Sequence, residues 1–437
     1  MAGPMAGVGT NTAAALPEGA SYRAALTLLA SLFFMWGFIT VINGTLLPHL
    51  RSVFDLSYTQ TTLIESVWFI AYFFASIPSA KLIERVGYQR AMVLGLALMA
   101  AGALIMVPAA RLPSFEVTLF ALFVIASGIT LLQVAANPYV AVVGSPETAS
   151  SRLNLVQAFN SAGATLAPLF GGYLILGRTS SGTAAAGAAA LTPAERLADA
   201  QSVVLPYVIV AIVLTVLAVI IARFPLPAMG AATQRTARAD RKAHSLWAHR
   251  NLVLGIPAIF IYLIAEIGVG NLFINFVSQP DIGNLTHQQA SNYLFLMWGG
   301  MMVGRLVGAY AMQRMDPGQA LAIASIGATI VMLIATFTTG HVAMWALISV
   351  GLFHSIMFPT IFTLGIRGLG PLTEEGAGLL IMAIAGGALV IVQGWLADRY
   401  GLQMSFLLTA ACELYVLFYA VWGSKPSHQF SERVTSP

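Results

Sequence analysis

The sequence predicts an all-α membrane protein of twelve transmembrane helices in two pseudo-symmetric six-helix bundles. Three observations carry this expectation. Of the 437 residues, 58% are hydrophobic and only 9% charged, with a mean hydropathy of +0.82. A soluble domain carries about 25% charged residues, so this chain has too few charges to cover a surface facing water. Apolar stretches of the roughly 20 residues needed to cross a bilayer recur twelve times. Finally, a proline–glycine pattern returns half a chain later: Asn137-Pro138 with Gly144, and Phe358-Pro359 with Gly365, offset by 221 residues. The composition excludes an ordinary cytosolic enzyme and any disordered or fibrous class. The single Cys412 excludes a disulfide framework and a cysteine-rich metal site.

Residues 1–20 are rich in Gly, Ala and Pro and are expected to form a disordered tail. The N-terminal bundle, 21–223, holds spans near 24–47, 59–80, 90–110, 117–142, 152–176 and 203–223. Its first span is too long for the core of a signal peptide, and no clear small-residue cleavage site follows it. The Ala/Gly-rich stretch 178–200 reads as a flexible loop with a short helix at 193–200. A linker, 224–251, separates the halves; its basic segment 235–250 reads as a solvated tether near anionic headgroups. The C-terminal bundle, 252–423, holds spans near 252–277, 289–313, 318–338, 342–366, 374–396 and 401–422, and 424–437 is a short tail. The connections leave no room for an extramembrane catalytic domain.

Loop charge sets the expected orientation. With a cytoplasmic N-terminus, fifteen of the 21 Lys and Arg residues, Arg152 among them, fall on the cytoplasmic side. Arg51, Arg111, Arg178, Arg196 and Arg399 fall opposite, and Arg305 lies within a span. The positive-inside rule then places both termini and the linker in the cytoplasm. It also accounts for the net charge of +4 and the pI near 9.2 without nucleic-acid binding.

A charge at mid-membrane costs roughly 2.5–3.5 kcal/mol on translocon scales, so it needs a partner, a wet cavity or a function. Four such residues occur: Glu65, Glu266, Arg305 and Glu413. Glu266 lies mid-span in IYLIAEIGVGNLFINF, with Gly268, Gly270 and Asn271 beside it. Glycines there permit close helix approach or local unwinding along a cavity. Glu266 is therefore the expected ion-coupling residue, the plainer alternative being a structural carboxyl. Arg305 reads equally as a gating or bracing charge and as a ligand contact. Glu65 lies toward the outer end of its span, and Glu413 in the last, commonly peripheral span.

Amides are more numerous. Asn43 lies in the first span, Gln133 and Asn137 in the fourth, and Asn154, Gln157 and Asn160 in the fifth. Asn271 and Asn275 lie in the seventh and Asn292 in the eighth, with His354 and Thr360 in the tenth and Gln393 in the eleventh. Gln133 and Asn137, four apart, share a helix face, and the steps of three from Asn154 to Asn160 suggest another. Amides both donate and accept, which suits an uncharged polyhydroxylated ligand, although many membrane amides only bond neighbouring helices, for about 0.6 kcal/mol. Trp36, Phe38, Trp68, Tyr72, Tyr139, Tyr262 and Trp298 are candidates to stack on the apolar face of such a ligand, Phe38 and Trp298 being taken as site residues, although core packing or an interfacial belt is the commoner role for any single aromatic. No metal-ligand spacing, phosphate-binding glycine loop or nucleophile–base set is evident, so neither cofactor nor enzymatic activity is expected. Two homologous bundles with polar residues at mid-span suggest a transporter whose site lies between the halves.

The turn Glu84-Arg85-Val86-Gly87 after the second span is similar to the D-R-x-G turn of the major facilitator superfamily, giving Glu84 and Arg85 a gating or structural role by resemblance. More specifically, FFMWGFITVINGTLLPHL (33–50), GITLLQVAANPYVAVVG (128–144), SRLNLVQAFNSAGATLAPLFG (151–171) and FPTIFTLGIRGLG (358–370) resemble the fucose/glucose/galactose–proton symporter family, over about residues 25–420. The resemblance implies a major facilitator fold and hexose import across a bacterial inner membrane by alternating access, with a proton as partner. Gln133 stands where the fucose branch has Glu, as in the glucose/galactose branch, so glucose or galactose is favoured over fucose. The family's Asn-Asp pair in the first span, whose Asp is implicated in coupling, reads Asn43-Gly44 here. Glu266 matches a carboxylate of glucose/galactose relatives. An uncoupled or sodium-coupled sugar carrier, an exporter or drug antiporter on the same fold, and a transport-inactive sugar sensor are the alternatives. A monomer is expected.

Overall fold

Lipid offers the backbone no hydrogen bonds, so each apolar stretch must satisfy its own N–H and C=O groups as a helix. The structure, a computed structural model, describes residues 22–54, 58–111, 114–174, 201, 203–226 and 245–426. The first half contains α1 (Tyr22–Phe54), α2 (Tyr58–Val86), α3 (Tyr88–Arg111), α4 (Phe115–Val142), α5 (Ala149–Leu174) and α6 (Val204–Arg223). The second contains α7 (Arg250–Val277), α8 (His287–Ala311), α9 (Pro317–Phe337), α10 (Gly340–His354), α11 (Met357–Ile366), α12 (Thr373–Met382), α13 (Val390–Tyr400) and α14 (Leu402–Phe418), which ends in a π turn, Tyr419–Gly423. Every expected span is matched by helix. Eleven of these stretches are apolar and long enough to cross a membrane. The twelfth, α5, carries Arg152, Asn154, Gln157 and Asn160 along its first half. The 1–20 tail, the 193–200 helix and most of the linker and C-terminal tail lie outside the described residues, as do the side chains of Asn43 and Glu65.

Two spans expected as single helices are broken. The tenth divides into α10 and α11 at Ser355–Ile356. Pro359 has no N–H for the Ser355 carbonyl four residues earlier, and Arg305 Nε donates to that carbonyl instead, at 3.0 Å. The eleventh divides into α12 and α13 around a 3-10 segment, Ala383–Leu389. Gly386 lies against the Phe260 backbone of α7 and Gly387 against the Phe69 ring of α2, so neither position has room for a Cβ.

The proline–glycine repeat corresponds to a shared way of ending a helix. In the first half, Arg152 of α5 closes the end of α4, donating Nε to the Val140 carbonyl (3.1 Å), Nη2 to Ala141 (2.7 Å) and Nη1 to Ser145 (2.7 Å). In the second, Asn251 of α7 donates Nδ2 to the carbonyls of Leu364, Gly365 and Arg367 at 2.9–3.1 Å, closing α11. Arg152, counted above as a loop charge, is thus a buried cap. Helix ends leave up to four carbonyls unbonded, and a side chain held at the right level satisfies several at once.

Within the first half α3 packs on α4 and α6, and α1 on α5; within the second, α14 packs on α7 and α9, and α8 on α10. The halves meet through α5 on α8 and α11, and through α12 on α2 and α4. Hydrogen bonds between halves follow this seam. Tyr88 donates to Glu374 (3.2 Å), Ser151 to the Ala309 carbonyl (2.5 Å), and the Ser150 and Thr363 hydroxyls bond at 2.6 Å. All lie toward the end of the molecule that holds the α2–α3 turn, where Gly87 takes φ +81°. Beside the seam, Glu147 lies outside the spans; the Ser145 hydroxyl, its own backbone and the charges of Arg152 and Arg367 hold its carboxyl below the usual range.

Candidate functional site

Four helices bring amides and hydroxyls together inside the bundle. On α4, Gln133 and Asn137 stand one turn apart, both buried. Gln133 Nε2 donates to the Tyr72 hydroxyl of α2. Gln157 of α5 donates to Asn137 Oδ1 at 3.4 Å. Asn154, one turn earlier on α5, donates to its own helix at the Ser150 carbonyl (2.9 Å) and to the Thr360 hydroxyl of α11 (3.3 Å). Three buried atoms remain without a hydrogen-bond partner: Gln133 Oε1, Asn137 Nδ2 and Asn154 Oδ1. Leaving such an atom unmade costs about 1–3 kcal/mol. Two acceptors and one donor within a single cluster form a set that ligand hydroxyls, which donate and accept, are equipped to complete.

Asn160 does not join this face. Steps of three residues turn a helix by about −60° each, so Asn160 has rotated well away from Asn154. Its Nδ2 donates to the Phe33 carbonyl of α1 at 3.0 Å, and the Asn160 backbone fills the space a Cβ on Gly37 would take. The expectation of one face through all three fifth-span amides is corrected accordingly. Phe38, half-buried, stacks near Phe34 with centroids 6.4 Å apart. Trp298 lies over Gly270 of α7. Asn271, Asn275 and Asn292 are exposed, toward the end of the bundle opposite the closed seam.

The charged residues form a second constellation. Glu266, partly exposed on α7, stands one turn beyond Tyr262, within electrostatic reach of Arg305, His354 and Glu413. Arg305 is buried and crosses the seam. Besides the Ser355 carbonyl, it donates Nη1 to the Gln157 carbonyl (3.0 Å) and to the Ser161 hydroxyl, both on α5. One guanidinium thereby links the amide-bearing helix of one half to the broken span of the other. At the α2–α3 turn Glu84 is half-buried and Arg85 exposed. Among the described residues no group of acids, histidines and cysteines is arranged to hold a metal ion.

Three features escaped sequence reasoning. His354 and Glu413, 59 residues apart, pair at 2.8 Å. Tyr72 meets Gln133 from another helix. Gln393 is buried beside Gly268 with neither amide atom bonded. No local spacing signals these contacts, because each joins separate spans.

The sequence pattern of the Major Facilitator Superfamily matches residues 28–376. The chain is 47% identical over 406 residues to the glucose/galactose transporter of Brucella abortus (strain 2308), covering 93% of this chain and 95% of that one. It is 32% identical over 424 residues to the L-fucose–proton symporter of Escherichia coli (strain K12), covering 93% and 95%. The fold superposes on a crystal structure of the major facilitator transporter FucP in its outward conformation with a TM-score of 0.78, at 32% identity, over 92% of this chain and 98% of that one.

Proposed function

The chain belongs to the major facilitator superfamily, a class of transporters rather than enzymes, and from that premise we propose that it imports a hexose, glucose or galactose, together with protons. Sugar transport is the activity named for its relatives on both the glucose/galactose and the fucose side. The observation that carries the reading is the amide cluster of Gln133, Asn137, Gln157 and Asn154, with three buried atoms still to be bonded. Hydroxyls of a hexose ring fit Gln133 Oε1 and Asn154 Oδ1 as donors and Asn137 Nδ2 as an acceptor. Phe38 and Trp298 are proposed to cover its apolar face, and Asn43, Asn271 and Asn292 to complete the polar lining as the halves close around it.

In this reading the bundles 21–223 and 252–423 rock about the site. The seam of α5, α8, α11 and α12 is the cytoplasmic gate, shut here, with Arg305 as its bolt and Glu84 and Arg85 at its rim. Glu266 carries the coupled proton. Both termini and the 224–251 linker face the cytoplasm of a bacterial inner membrane, and the working unit is a monomer. Glucose or galactose is preferred over fucose because the relative at 47% identity is a glucose/galactose transporter and the one at 32% a fucose symporter.

The deciding experiment is uptake of labelled glucose, galactose and fucose into proteoliposomes, with proton and sodium gradients imposed separately. Accumulation of glucose or galactose under an inward proton gradient alone is expected. Accumulation under sodium alone, or equilibration without accumulation, replaces the proton reading with a sodium-coupled or uncoupled carrier. Failure to move any hexose overturns the sugar assignment.

A further inference from the structure

We propose that the buried His354–Glu413 pair is a second proton-binding site of the carrier, acting with Glu266 rather than as a structural tie. The proposal rests on the proton-coupled reading above and extends it to two residues of different spans. The His354 and Glu413 side chains are 3% and 0% exposed, and Nε2 meets Oε1 at 2.8 Å. A carboxylate only accepts, so a proton must lie on this line, carried by the ring nitrogen or by the acid. The other carboxyl oxygen, Oε2, is buried without a hydrogen-bond partner, as is the Thr409 hydroxyl one turn earlier on α14. A proton added at Oε2 raises the net charge of the pair by one and gives that oxygen a hydrogen to donate. A tie between two helices needs only a pair of amides, whereas ionisable groups buried in a membrane are expensive.

The pair is also linked to Glu266 through α7. Tyr262 donates its hydroxyl to the His354 carbonyl at 2.9 Å and sets its ring edge-on to the imidazole, with centroids 5.6 Å apart. One turn further along α7 is Glu266, within electrostatic reach of both His354 and Glu413. The remaining elements around the pair leave few competing groups. From α8 comes Arg305, occupied by three acceptors. α9 contains no titratable residue. On α14 itself are Cys412, beside Glu413, and Tyr415, whose hydroxyl donates to the Leu254 carbonyl. Asp398, Arg399 and Tyr400 close α13 beside the start of α14, about three turns from Glu413.

The test is the pH profile of sugar affinity, read by equilibrium binding and by counterflow in proteoliposomes between about pH 5 and pH 8. Wild-type affinity is expected to change about tenfold over this range, a common size for coupling between two ligands. Glu266→Gln should keep part of that dependence, Glu413→Gln and His354→Gln should each exchange sugar with a flattened profile, and Glu266→Gln/Glu413→Gln should lose the dependence. Glu413→Asp should restore it. A steep wild type with a flat Glu266→Gln assigns all proton linkage to Glu266 and overturns the second site. So does an actively exchanging Glu413→Gln with the wild-type profile. If the glutamine variants at 354 and 413 do not fold, Glu266→Gln alone decides. A flat wild type that also fails to accumulate sugar under a proton gradient defeats the proton-coupled reading itself, which is a separate result.

Discussion

Gln133 shows how far a single residue can be read. Its place on an amide face with Asn137 follows from their spacing of four, and the structure keeps both buried on that face. Its bond to Tyr72 could not be read, because 61 residues separate the two and no local period connects α2 with α4. Asn160 shows the opposite error. Spacing suggested that it shared a face with Asn154, but the accumulated rotation of a 3.6-residue helix aims it at α1. Replacing Gln133 by Ala removes an acceptor proposed for a sugar hydroxyl and leaves the Tyr72 hydroxyl without its donor. A lost buried partner costs about 1–3 kcal/mol, so Gln133→Ala should weaken hexose binding by about tenfold or more while the protein stays folded. Equilibrium binding measured beside a thermal melt checks this. Unchanged affinity in folded protein takes Gln133 out of the site.

At the level of elements, hydropathy found the spans because lipid tolerates only apolar helices, and it is blind to whatever happens inside them. The breaks at Ser355–Ile356 and Ala383–Leu389 depend on what neighbouring helices supply: Arg305 for a carbonyl orphaned by Pro359, and the α7 backbone for the close approach of Gly386. The α1–α5 contact follows the same principle. Gly37 and Gly163 let the two backbones touch, and a Cβ on Gly37 would overlap the Asn160 carbonyl, while one on Gly163 would overlap that of Phe34. Membrane helices pack by close contact and small residues rather than by hydrophobic exclusion. Since the obstacle is backbone, relief requires the helices to part. Gly37→Leu should therefore destabilise the first half by about 1–3 kcal/mol, the usual range for overpacking, and more if α1 separates from Asn160. A lowered melting temperature in detergent is the expected observation; a melt within error of wild type would show that α1 has room to shift.

For the molecule as a whole, two half-chains with matched helix endings meet through α5 on α8 and α11 and through α12 on α2 and α4. The fold superposes on an outward-conformation transporter with a TM-score of 0.78. Orientation can be tested independently of transport: tags at both ends and a protease site in the 224–251 linker should resist protease added outside intact cells, and external cleavage of the linker would invert the proposed topology. Coupling is the property that least follows from fold, since the same seam serves a facilitator and a symporter equally well. It must come from a group whose proton occupancy and the sugar's binding alter one another, commonly by about 1–3 kcal/mol. Glu266 is proposed for that role because it is partly exposed and within electrostatic reach of the seam-crossing Arg305, so it would respond to a change in that cation's partners. Glu266→Gln mimics a permanently protonated acid. It should abolish accumulation of sugar against its gradient, because the site no longer returns empty of its proton, yet retain sugar counterflow, which needs only loaded carriers to exchange. Proteoliposomes measure both. Concentrative uptake surviving in Glu266→Gln would move the coupled proton elsewhere and leave Glu266 a cavity-lining residue.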